Sequence, residues 1–210
     1  MAYRSRSGPA SPFGPGSLTG AAPTSRRERV TGAAVVMVCW VALLWVLEVI
    51  DVVSGHALDT FGVSPREIGE LRDVVPAAFL HFGFAHLAAN SVPLLVLGFL
   101  VALSGLRRLL VVVTVIILAS GLGVWLTAPA HSTTAGASGV VFGLLGYLLV
   151  RGFVNRSLGD LVTGLVVGAV YGSFLWGVLP TAAGVSWQAH LFGLAGGVAA
   201  AFALRPPRGV

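Results

Sequence analysis

Charge is what this chain has least of. Only 10% of its 210 residues are Asp, Glu, Lys or Arg, against 56% that are hydrophobic, and that balance cannot coat a water-facing domain of this length. Cysteine is nearly absent too. Cys39 stands alone inside an apolar run, which excludes a disulfide framework and a cysteine-based metal cluster, and it reads as an inert core residue. Lysine is missing, so all thirteen basic residues are arginines. They sit scattered at the ends of apolar segments rather than in a stripe, so the high pI is a signal of membrane topology and not of nucleic-acid binding. Glycine, by contrast, is plentiful at 28 residues, as expected where helices approach closely inside a bilayer.

The first 29 residues are rich in Pro, Gly and Ser and carry Arg4, Arg6, Arg26, Arg27 and Arg29. Such a stretch buries no core and is expected to be a disordered tail. From Val30 to Leu47 the chain runs uncharged for 18 residues, enough for a membrane span, before Glu48 and Asp51 mark its far end. A cleavable signal peptide would have a shorter apolar region followed by a small-residue cleavage site, so this span reads as a retained anchor. Five further apolar stretches follow, at 82–106, 109–130, 136–150, 161–179 and 186–204. The expected fold is therefore all-α, a six-helix polytopic membrane domain over residues 30–205 with a short tail at 206–210.

Two details of this layout bear on function. The stretch 136–150 has only 15 residues before Arg151, about 22 Å of helix at 1.5 Å per residue, too short to cross a hydrocarbon core of about 30 Å. Its start is expected below the membrane surface, where non-helical backbone is tolerated only when buried in protein or lining a water-filled cavity. With six alternating spans, eleven of the thirteen arginines fall on one side; only Arg66 and Arg72, in the long first loop, fall on the other. Because positive residues accumulate in cytoplasmic loops, both termini are expected in the cytoplasm, with the start of the fourth span facing outward.

Polar groups inside spans are expensive, and each is a functional candidate by default. Ser138 lies among glycines at the start of the fourth span. His86 and Asn90 are four apart near the outer end of the second, and His190 is in the second turn of the sixth. All four share one expected depth. Gly139 and Gly143 below the serine, and Gly193 and Gly197 below the histidine, would let the two helices touch and bring Ser138 within reach of His190. A serine hydroxyl needs a base, and an imidazole with an ordinary pKa near 6.5 suits that work. The oxyanion of an acyl-transfer intermediate would find donors in His86, Asn90 and the Ser138 backbone N–H. No carboxylate sits at this level in the later spans, so a Ser-His dyad is favoured over a triad.

With these residues in view, the sequence resembles the rhomboid family of intramembrane serine proteases from about Leu71 to Leu204. The resemblance rests on His81 and His86 followed by Asn90, on Gly136-Ala137-Ser138-Gly139 with Phe142 after it, and on His190-x-x-Gly193-x-x-x-Gly197. It implies a six-helix bundle with an outward-opening cavity, in which Ser138 attacks a peptide bond of a substrate's transmembrane segment. His190 matches the family's general base, and His86 and Asn90 match its oxyanion donors. His81 is implied to brace a loop. No metal, organic cofactor or nucleic acid is implied; the partners are the lipid bilayer and transmembrane protein substrates. One departure is Leu71-Arg72 where the family commonly has Trp-Arg in the first external loop, which bears on loop stability and substrate approach.

Plainer readings compete. Ser138 taken alone would be a packing or capping residue, and Asn90 alone would be interhelical glue. His56 and His131 read as solvated loop residues, with a place at the cavity entrance as the alternative for His131, and Glu48 and Asp51 as groups that reach the interface. An inactive rhomboid-like protein that binds membrane clients would share the fold but typically lacks the serine or the histidine. A small transporter would show internal repeats or broken helices in matching halves, and none is evident. The arginine-only basic content and the Gly and Ala richness hint at a GC-rich bacterial genome and hence at the cell membrane.

Overall fold

The structure is a computed structural model that describes residues 25–180 and 184–205. The expected tails lie outside the described residues at 1–24 and 206–210. Six helices follow in order: α1 Arg26–Val53, α2 Phe84–Ala102, α3 Leu106–Thr127, α4 Ser138–Asn155, α5 Leu158–Tyr171 and α6 Trp187–Ala203. A 3-10 turn, Gly172–Val178, extends α5, and three more lie in the long α1–α2 connection. Five helices are long and apolar enough to cross a bilayer, counting α5 with its extension. The sixth, α6, has 17 residues, the lower end of the spanning range. The protein is an integral, multi-pass membrane protein.

Helix α1 differs from the sequence expectation at both ends. It starts at Arg26, inside the expected tail, because Ser25 and Glu28 form a capping box: the Ser25 hydroxyl accepts from the Glu28 N–H, and the Glu28 carboxylate accepts from the Ser25 N–H. It also continues past Leu47 to Val53, with Glu48 and Asp51 in its last turns. Each is only 2% exposed, covered by the chain that follows, where the Leu58 N–H donates to Asp51 Oδ1 at 2.8 Å.

Helix α4 is the centre of the bundle, in contact with α2, α3, α5 and α6. Its closest approach is to α6, and small residues make it possible. A Cβ on Gly193 would collide with the carbonyl of Gly139, and one on Gly197 with the carbonyl of Gly143. Helix α5 lies at the periphery, with Val162, Leu165, Val166 and Val170 exposed, the pattern of a lipid-facing helix. At the end away from the start of α4, Arg151 bonds Ser104 and Asp160, and Arg108 donates to the Leu204 carbonyl, so these arginines are held while remaining near an end of the bundle.

Candidate active site

The start of α4 is set by three ties to the long α1–α2 connection. Val63 and Thr134 exchange backbone hydrogen bonds of 2.9 and 3.1 Å, Gly136 N–H donates to the Ala77 carbonyl at 2.8 Å, and Ala137 N–H donates to His81 Nε2 at 3.3 Å. His81 is 2% exposed, and its ring meets that of His86 edge-on, centroids 5.1 Å apart. These contacts fix residues 134–137 and hence the point where α4 begins. Gly136 has φ +141°, and a Cβ there would stand 2.8–3.0 Å from the His86 ring and 3.7 Å from Ser138 Oγ. Only glycine leaves room for both side chains at this backbone conformation.

Ser138 is the first residue of α4, where backbone N–H groups have no intrahelical acceptor and the helix dipole favours negative charge. Its half-buried side chain opens into a cavity of about 670 Å³, whose lining includes His86, Asn90, Phe142, Phe174, Gln188 and His190. The cavity thus joins residues from α2, α4, the α5 extension and α6. It also runs along residues 132–136; of the non-helical segment 131–135, expected to be buried in protein or to line a cavity, residues 132–135 line it.

His190 is buried and held on two sides. Phe142, one turn further along α4 than Ser138, stacks on the imidazole with centroids 4.0 Å apart and planes 6° from parallel. The His190 Nδ1 lies 2.9 Å from the Gly177 carbonyl oxygen. A carbonyl can only accept, so Nδ1 carries the proton and Nε2 keeps its lone pair. Among the described residues no hydrogen bond joins Ser138 to His190; the two side chains share the cavity wall. Hydrogen bonds of this type are often long in unliganded enzymes and tighten around substrate.

Asn90 is buried at the same wall and spends one amide hydrogen on the His86 carbonyl, 3.1 Å away, with its second still free to donate. Sequence reasoning did not find Ser120. Its buried hydroxyl donates to the Ala189 carbonyl at 2.9 Å and fills the space that a Cβ on Gly139 would take, so α3 pins α4 to α6 beside the candidate pair. A lone hydroxyl in mid-span was the available signal. Gly177 gave none, because a backbone carbonyl has no residue type.

Fold and site together define a class: a polytopic helical membrane protein with a serine at a helix start and a buried, oriented histidine on one cavity. Comparison with known proteins takes this further. Residues 69–207 match the Rhomboid domain, and the chain belongs to the rhomboid family. An uncharacterized protein of Mycobacterium tuberculosis is 43% identical over 192 residues, covering 88% of this chain and 80% of its own length. One from Mycobacterium leprae is 39% identical, covering 88% and 76%. A Bacillus subtilis protein named "Putative rhomboid protease YdcA" is 32% identical over 158 residues, covering 72% and 73%.

Proposed function

We propose that the protein is an intramembrane serine endopeptidase that cleaves peptide bonds in or beside the transmembrane segments of other membrane proteins. The observation that carries this reading is the shared cavity, with Ser138 at a helix N-terminus and His190 presenting the lone pair of Nε2. The described residues that line the cavity include no lysine or carboxylate, which leaves imidazole as the base available to the serine.

In this mechanism His190 Nε2 takes the proton of Ser138 as Oγ adds to the scissile carbonyl carbon. The oxyanion is stabilised by the His86 ring N–H, the free Asn90 amide hydrogen and the Ser138 backbone N–H. His190 then protonates the leaving amine, the C–N bond breaks, and an acyl ester remains on Ser138. Water from the cavity, deprotonated by His190, hydrolyses that ester and restores both groups. Substrates are segments that unwind locally, since an intact helix hides its carbonyls in hydrogen bonds. The arginine distribution supports cytoplasmic termini and an outward-facing cavity, in a bacterial cell membrane.

The test is labelling of the detergent-solubilised protein with a serine-reactive fluorophosphonate, comparing wild type with Ser138→Ala and His190→Ala. Labelling lost in both variants supports the dyad. Equal labelling in all three, or none in a folded wild type, replaces it with a non-catalytic, client-binding rhomboid.

A further inference from the structure

The far end of α1 carries a second cluster, away from the cavity. Asp51, His56 and Asp59 converge there, their ligand atoms all within 4.8 Å of one another. His56 Nδ1 lies 2.9 Å from Asp51 Oδ2 and 3.7 Å from Asp59 Oδ2. A tetrahedral zinc ion with bonds of about 2.0–2.1 Å separates its ligands by about 3.3–3.4 Å, and the two spacings bracket that edge.

Glu48 supplies the second, independent observation. It lies three residues before Asp51 and so on the same face of α1. It is 2% exposed, and its Oε1 has no hydrogen-bond partner. It is close enough for the charges of Asp51, Asp59 and His56 to act on it, and the Gly83 backbone N–H also reaches its carboxylate. Asp59 Oδ1 is likewise buried without a partner. Among the described residues no arginine forms an ion pair with Glu48, Asp51 or Asp59. Three carboxylates are thus gathered at a partly buried corner with one imidazole to balance them, an arrangement that is costly without a cation.

We infer that Asp51 Oδ2, His56 Nδ1 and Asp59 Oδ2 bind a divalent zinc-class ion, with Glu48 beside it to complete the shell or orient a bound water. An imidazole among carboxylates selects zinc or a similar first-row ion over calcium and magnesium, which prefer all-oxygen shells. The half-exposed His56 side chain gives the ion an entry path. Bound there, the ion ties α1 to the start of the connection that carries Val63 and His81 to the head of α4. The sequence reading assigned no metal because it weighed the lone cysteine; the donors are instead split between a helix end and the turn after it.

The test uses untagged full-length protein in detergent, stripped with a chelator. Zn²⁺ is titrated by calorimetry and Co²⁺ by visible absorption, with Mg²⁺ and Ca²⁺ as controls, for wild type, His56→Gln and Asp59→Asn. The expected result is one saturable Zn²⁺ site, a tetrahedral Co²⁺ spectrum, and affinity lowered by about tenfold or more in each variant. The Co²⁺ spectrum of the wild type reports the site even if a variant folds poorly. Absence of saturable binding, or binding unchanged in both variants, overturns the site and leaves a simple Asp51–His56 ion pair.

Discussion

The Nδ1 of His190 stands 2.9 Å from the carbonyl oxygen of Gly177, which makes a backbone group of the α5 extension the partner of the proposed base. In a Ser-His-Asp site a carboxylate fixes the imidazole tautomer; here a carbonyl does so without adding charge. The orientation of the base then depends on where the segment Gly172–Val178 lies, and that segment follows the least buried helix of the bundle.

Disturbing this contact without touching the imidazole is expected to slow catalysis. A Cβ on Gly177 would stand 2.7 Å from Phe142 Cζ and 3.2 Å from His190 Nδ1, so Gly177→Val displaces either the segment or the stacked rings. A general base contributes on the order of 10²–10⁴ to rate; a misoriented one is expected to cost at least about tenfold in kcat on a transmembrane substrate. Thermal unfolding should fall only modestly, because the added carbon meets the far end of a side chain rather than backbone. A folded Gly177→Val variant with full kcat would show that the carbonyl contact is incidental.

Gly197 is where the bundle tolerates least. Its added Cβ meets the Gly143 backbone rather than a side chain that can rotate away, so α6 must move as a whole. Overpacking of this kind costs about 1–3 kcal/mol. Gly197→Ala should lower the unfolding midpoint in detergent by several degrees, and Gly197→Val by more. Gly159→Ala, with nothing within 4 Å of the added carbon, is the control that should leave it unchanged.

His81 is expected to matter for the head of α4 and not for the chemistry itself. Removing its ring leaves the Ala137 N–H without its acceptor in a buried position, a loss of about 1–3 kcal/mol. His81→Ala should therefore lower both stability and fluorophosphonate labelling, whereas Ser138→Ala should abolish labelling with stability retained. Equal stability of His81→Ala and wild type in chemical denaturation would rule out the bracing role.

Much of this arrangement was legible in the sequence, for physical reasons that differ by residue. The close approach of α4 and α6 is written as Gly139, Gly143, Gly193 and Gly197, because only missing side chains allow backbone contact and glycine is visible as a letter. The place of Ser138 at the start of α4 is legible as the point where the apolar run before Arg151 begins. The start of α1 was missed because Ser25 and Glu28 act through a local capping box that overrides the polar character of the arginines between them. The burial of Glu48 and Asp51 had no signal in hydropathy, because it comes from the chain folding back over the end of α1, with Leu58 donating to Asp51. Gly177 and Ser120 contribute through a carbonyl and through one ordinary hydroxyl, neither of which forms a motif.

The Asp51–His56 pair predicts a pH dependence opposite in sense to that of a carboxylate held ionised. The hydrogen bond from His56 to the Asp51 carboxylate raises the imidazole pKa above its ordinary value; partial burial opposes this, and the charges of Asp51, Asp59 and Glu48 add to the rise. A group whose folded pKa is raised stabilises the fold fully below its unfolded pKa, near 6.5, and that contribution fades as pH climbs through the folded value. With chelator present to exclude metal, wild type should lose stability relative to His56→Gln as pH rises from about 6.5 through the raised folded value. Unfolding midpoints of the two proteins measured across that range give the difference curve directly. A flat difference, or one that grows with pH, would mean that His56 gains nothing from Asp51 in the folded protein.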